Sequence, residues 1–188
     1  MLREVLLGPV QSNGLIIVST SSSHIARLKS IIEFGKKLKR KIVFMGRSLS
    51  KYVQAAQQVG IVDFSKDVEI KRFGKQIKKK LKDVANNRNE YLLVVTGHQG
   101  EPRSVLSKIV NNVFDFDLKS GDEVIFSCKT IPTPTNLENR AHLENELKKR
   151  GIRYYTDVHQ SGHAAREDLR DLISLLRPRM VIPAHGNK

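Results

Sequence analysis

Tryptophan is absent from this chain and cysteine occurs once, at Cys128. A single cysteine excludes an internal disulfide, so burial and hydrogen bonding must hold the fold, and a reducing, cytoplasmic setting is the natural reading. Long apolar runs are also missing. None approaches the roughly 20 residues of a membrane span. The opening stretch MLREVLLGPVQSNG, with acidic Glu4, is not a secretory signal. No membrane is therefore expected as a partner, and there are no repeats or low-complexity segments.

Acidic side chains are scarce as well: 19 against 33 lysines and arginines, for a net charge of +14 over 188 residues. The imbalance is lopsided. Residues 1–90 hold 19 basic and 7 acidic side chains, and residues 91–188 hold 14 and 12. Much of the excess lies in runs, KKLKRK (Lys36–Lys41) and KKKLK (Lys78–Lys82). Such asymmetry points to a polyanion, most often nucleic acid. A solvated lysine-rich helix face, as in heat-adapted proteins, gives the same count. The length suits one domain, alone or with an attached flap, and a 39% hydrophobic content is enough for a core.

What is present is alternation. Leu15–Val18, Ile42–Met45, Tyr91–Val95, Val124–Phe126 and Met180–Ile182 are continuous apolar runs, as expected of strands covered on both faces. Between them the apolar residues recur at helical spacing. The stripes are Ile25, Leu28, Ile31, Ile32 and Leu38; Val53, Ala56 and Val59 or Gly60; Phe73, Ile77, Leu81 and Val84; and Val105, Ile109 and Val110, with Pro102 placed in the first turn. Leu143 and Leu147 mark a fifth helix closed by Gly151, and Leu169, Leu172, Leu175 and Leu176 a sixth ended by Pro178. Asp115–Gly121 reads as a loop or short edge strand. The pattern predicts an α/β fold, a mostly parallel sheet with helices on both faces.

Three loops follow strands and precede helices: STSSSH (Ser19–His24, including Ser22), MGRSLS (Met45–Ser50) and TGHQGEPRS (Thr96–Ser104). In a parallel sheet they emerge at one edge. Helix-start amides, hydroxyls and the cations Arg47 and Arg103 would suit sugar-phosphate there. Taken singly, each loop is equally a set of N-caps and turns. No GxGxxG or GxxxxGK[ST] string occurs, so a standard dinucleotide or Walker site is excluded.

Two histidines flank glycines near the end, His163 in VHQSGHAAREDL and His185 in IPAHG. His159 and His163 have i, i+4 spacing, but Ser161-Gly162 between them argues for a turn rather than a zinc-binding helix face. His163 precedes a helix whose first turn carries Glu167 and Asp168. A metal site needs three or four ligands, and neither HxHxDH nor HExxH occurs. His24, His98 and His142 lie in unrelated contexts, and nothing in the spacing places Glu101 or Asp157 as a carboxylate partner.

TGHQGEP (Thr96–Pro102), SGHAAREDL (Ser161–Leu169) and PAHG (Pro183–Gly186) resemble the β-CASP family of metallo-β-lactamase-fold nucleases, within it the ribonuclease J group, particularly its archaeal form. The likeness runs through IIVSTSSSHIARL (Ile16–Leu28), VFMGRSL (Val43–Leu49) and GDEVIFSCKTIPTPTN (Gly121–Asn136), and the 22-residue step from His163 to His185 fits the family spacing. The resemblance implies a β-CASP RNA-binding domain over residues 1–150, then a C-terminal segment over 151–188, a piece of the metallo-β-lactamase fold carrying two motifs. His163 would be the histidine beside the scissile phosphate and His185 a zinc ligand. Ser161, Gly162 and Ala164 would hold phosphate, while Thr96, Gly97, His98, Gln99, Gly100 and Glu101 would line the RNA channel with Arg47 and Ser22. Ala165 and His98 stand where many relatives have serine.

The family's upstream HxHxDH, further histidine and bridging aspartate are not in this sequence. The chain therefore resembles a portion of such an enzyme. The resemblance implies zinc in the complete protein, none held tightly by this chain alone, and no nuclease activity without the metallo-β-lactamase half. RNA and that half, or a further copy of the chain, are the implied partners. The apolar residues of Leu169–Ile182 would then lack cover and promote self-association. A stand-alone, non-catalytic RNA- or nucleotide-binding module is the alternative reading, and an α/β sugar-phosphate enzyme using His163 as base a third.

Overall fold

A computed structural model describes residues 2–8, 13–156, 158 and 166–182. Four of the apolar runs become strands: β1 (Ile16–Ser19), β2 (Lys41–Met45), β4 (Tyr91–Val95) and β5 (Glu123–Phe126). Two strands that the sequence did not signal complete the set, β3 (Val68–Lys71) and β6 (Arg153–Tyr155). All six pair in parallel, in the order β3-β2-β4-β1-β5-β6. The unsignalled strands are the two edges, where only one ladder forms and charged residues are tolerated.

Alternate residues of the central strands face opposite ways, so one apolar run feeds two cores. Ile17, Val43, Leu93 and Val124 point to one face and Ile16, Phe44, Leu92 and Ile125 to the other. The second face is covered by α1 (Leu2–Leu7), α2 (Ile25–Lys37) and α3 (Arg47–Gln58), through Leu6, Leu28, Ile31, Leu49 and Val53. The first is covered by α4 (Gly74–Asn86), α5 (Val105–Val110) and α6 (Pro134–Lys149), through Ile77, Leu81, Leu106, Ile109, Leu143 and Leu147. Each side chain buried in this way contributes about 1.5–3 kcal/mol. The expected α/β fold, parallel and sandwiched between helices, is what forms.

Two local expectations are corrected. Pro102 lies before α5 rather than in its first turn, because Ser104 caps the helix: its hydroxyl accepts from the Ser107 amide at 3.2 Å. Met180–Ile182 forms no strand and pairs with none of the described strands. Without a ladder its backbone has no reason to extend, and its side chains remain 76%, 54% and 82% exposed. The helix before it, α7 (Arg166–Leu176), forms as expected but buries no residue. Among the described residues no helix is long and apolar enough to cross a membrane.

Candidate nucleic-acid interface

Strands β1 and β4 lie side by side in the sheet, yet their following helices depart to opposite faces, α2 to one and α5 to the other. A parallel sheet opens a crevice at such a point, beyond the carboxyl ends of its strands. A hollow of about 260 Å³ occupies that position, lined by Thr20, Ser21, Ser22, Ser48, Thr96, His98, Glu101 and Ser104. Hydroxyl groups dominate its wall. The three loops singled out from the sequence therefore do converge on one edge.

A larger cleft of about 670 Å³ opens beside it, and Ser48 and Thr96 line both. Its cations are Arg47, Lys51, Arg72, Arg103 and Lys108, and no carboxylate is among its lining residues. The ion pairs of the described residues lie elsewhere and use none of these five. Gly46, at the cleft wall, caps α3 without a side-chain acceptor, so the positive end of that 12-residue helix adds to the field. Opposite charge is what this cleft lacks, and a phosphate backbone would supply it.

The two lysine runs behave differently. Lys36 pairs with Asp67 at 2.7 Å and Lys41 with Glu90 at 2.6 Å, and Lys78 pairs with Asp115. Lys80 sits 2.6 Å from Glu69 and 4.8 Å from the centre of the Tyr91 ring. Arg40 turns inward and donates to the carbonyls of Gly14 and Tyr91, at 2.6 and 3.1 Å. The runs thus serve local structure at several of their positions. Lys51, Arg72 and Lys108, which sequence reading did not select, lie outside the two lysine runs. Only the i, i+4 step from Arg47 to Lys51 on α3 hinted at a shared face.

The TGHQGEP loop splits into two kinds of residue. Thr96, His98 and Glu101 line the hollow. Gln99 is buried and acts as a strut: its side-chain oxygen accepts from the Ile131 amide at 2.8 Å, and its Nε2 donates to the Lys129 carbonyl at 3.3 Å. Gly97 and Gly100 take positive φ of 125° and 78°. At Gly100 a Cβ would lie 2.5–2.6 Å from the backbone of Asn139 and Arg140, so only glycine lets the loop meet α6 this closely. Arg140 closes the contact by donating to the His98 carbonyl at 2.7 Å. Burial lowers the pKa of His98 from 6.5, opposed by the nearby Glu101 carboxylate and reinforced by Arg140, so the neutral imidazole is favoured near pH 7.

Ser161, Gly162, His163, Ala164 and His185 lie outside the described residues. Among the described residues no group of three or more His, Cys, Asp or Glu side chains could hold a metal ion, so they offer no zinc site of their own.

Sheet order, crevice and the five cleft cations together define a doubly wound α/β domain with an anion-attracting edge. Comparison with known proteins narrows this class: the family described as "Ribonuclease J, beta-CASP domain" matches residues 13–146, and the "Zn-dependent metallo-hydrolase RNA specificity domain" matches residues 143–188. The chain belongs to the ribonuclease J β-CASP family. Ribonuclease J of Pyrococcus abyssi is 42% identical over 177 residues, covering 94% of this chain and 39% of the relative. That of Methanocaldococcus jannaschii is 40% identical over 188 residues, covering 100% of this chain and 42% of the relative. That of Sinorhizobium meliloti is 29% identical over 181 residues, covering 93% and 30%. The chain thus spans about two fifths of the length of the two more similar relatives.

Proposed function

We propose that this chain is the RNA-binding portion of a ribonuclease J-like, zinc-dependent RNA phosphodiester hydrolase. Residues 1–150 form the β-CASP RNA-binding domain and residues 151–188 a C-terminal piece of the metallo-β-lactamase fold that carries two of its motifs. The backbone of RNA lies along the carboxyl edge of the sheet, with phosphates against Arg47 and Arg103, sugar or phosphate oxygens accepting from Ser22 and Thr96, and a ribose hydroxyl donating to Glu101. His98 belongs to the same wall. Gly97, Gln99 and Gly100 shape it from behind. Ser161, Gly162 and Ala164 hold the phosphate to be cut, and His163 stands beside it as proton donor. His185 contributes one zinc ligand, and the other ligands come from the metallo-β-lactamase half, in the same protein or another copy. The compartment is the cytoplasm.

The observation that carries this reading is the 670 Å³ cleft whose five cations have no carboxylate among its lining residues, in a chain of the ribonuclease J family. Titrating the purified chain against labelled single-stranded RNA at several salt concentrations tests it. Affinity should fall with salt, with a slope of about −0.7 per phosphate neutralised. A flat response would overturn the assignment. Incubation of the same sample with RNA and zinc should give no cleavage, and robust metal-dependent cleavage would show that the chain is self-sufficient.

A further inference from the structure

We infer that the cation-lined cleft is a base-stacking subsite for single-stranded RNA, with Phe73 as the platform. This deepens the RNA-binding reading and rests on it. Phe73 alone of the chain's seven phenylalanines is exposed, at 53%. An exposed apolar side chain is unremarkable by itself. This one lines the cleft together with Arg47, Lys51, Arg72, Arg103 and Lys108.

Its position is also held firmly. The Gln76 side chain accepts from the backbone amides of Arg72 and Phe73, at 3.0 and 3.1 Å, and the Phe73 carbonyl accepts from the Ile77 amide at 3.0 Å. The Arg72 guanidinium stands 5.2 Å from the ring centre. The ring therefore sits on a fixed backbone at the start of α4, beside a cation, and loses little freedom when a flat partner arrives. Single-stranded nucleic acid is bound by this pairing of cations for the backbone with aromatic faces for the bases. The cleft volume lies within the roughly 300–1,000 Å³ of small-ligand sites, enough for a nucleotide unit. Duplex RNA, whose bases are already stacked on each other, can use the cations but not the ring.

The test measures binding of the 188-residue chain to a short labelled oligoadenylate and to a blunt RNA duplex, for wild type, Phe73→Ala, Phe73→Leu and Phe73→Tyr. Phe73→Ala should weaken single-strand binding about tenfold and leave the salt slope unchanged. Phe73→Leu should weaken it in the same direction, Phe73→Tyr should bind like wild type, and duplex binding should not move. Because the ring is exposed, folding by circular dichroism should be the same for all four. Equal affinity of Phe73→Ala and wild type for the single strand would overturn the stacking subsite, as would equal losses on strand and duplex. If Arg47→Ala and Arg103→Ala still weaken binding in that case, the RNA-binding reading stands without it. If they too change nothing, that reading fails as well.

Discussion

The guanidinium carbon of Arg140 lies 3.3 Å from the centre of the Phe126 ring. Phe126 ends β5, and Arg140 rides on α6 and donates to the His98 carbonyl in the loop after β4. One side chain thus ties the loop after β4 and the carboxyl end of β5 to a helix.

Arg140 is only 6% exposed and also pairs with Glu144 at 2.6 Å. Arg140→Ala should therefore destabilise the chain by about 3 kcal/mol, since it leaves His98, Phe126 and Glu144 without their shared partner. Arg140→Lys should recover only part of this, because an ammonium lacks the flat fork that stacks and donates together. Urea unfolding followed by far-ultraviolet dichroism would measure both.

Gly100→Ala should cost at least about 2 kcal/mol. A positive φ of 78° charges the new side chain roughly 1–2 kcal/mol of backbone strain, and its Cβ would collide with the Asn139–Arg140 backbone. The same unfolding measurement would detect it, and the loop's displacement should lower RNA affinity in parallel.

The cations should separate into two groups. Arg47→Ala and Arg103→Ala should each weaken RNA binding and make its salt slope shallower by about 0.7, one phosphate contact apiece. Lys36→Ala, Lys41→Ala and Lys78→Ala, whose partners are Asp67, Glu90 and Asp115, should leave the slope nearly unchanged. Fluorescence anisotropy over a salt series would distinguish them.

His98 should titrate below 6.5, because burial disfavours its charged form. Between that lowered folded value and 6.5 the unfolded chain binds more protons. Stability should consequently rise with pH across this window and level off above it, and be lost as pH falls through it. His98→Gln should flatten that part of the curve. Imidazole resonances followed by nuclear magnetic resonance would give the folded pKa directly.

The bare face of α7 should make the chain self-associate. Leu172, Leu175 and Leu176 are 50%, 82% and 68% exposed, and Met180 and Ile182 extend the patch. Apolar surface of this kind gathers when concentrated. Sedimentation velocity should show a concentration-dependent shift, and Leu175→Glu should move the chain toward monomer.

The central strands were legible because a strand buried on both faces is apolar at every position, as Tyr91–Val95 is. The edges were not. Val68–Lys71 alternates apolar residues with Glu69 and Lys71, which pair with each other at 2.7 Å, and it reads as polar connection. Met180–Ile182 misled for the opposite reason, since composition signals burial but not what does the burying. At the candidate interface the loops of small and hydroxyl residues stood out, and so did Arg47 and Arg103. Arg72, Phe73 and Lys108 did not, because the turn between β3 and α4 meets α3 and α5 only once the sheet has formed. The lysine runs drew attention by density, although density along a chain says nothing of whether each charge finds a carboxylate.

The strand order has a consequence for how the chain is made. Ile16 lies beside Leu92 on one side and beside Glu123 on the other. On a ribosome, β1 emerges before either of its neighbours and gains the second only when β5 has followed. While β2 and β3 can pair early, the middle of the sheet stays open until β4 and then β5 have been synthesised. Pairings this distant are slow to form and leave unsatisfied strand edges in the interim. A nascent chain halted near α5 would hold β1 against β4 alone, with its other rim free to capture a strand from another molecule.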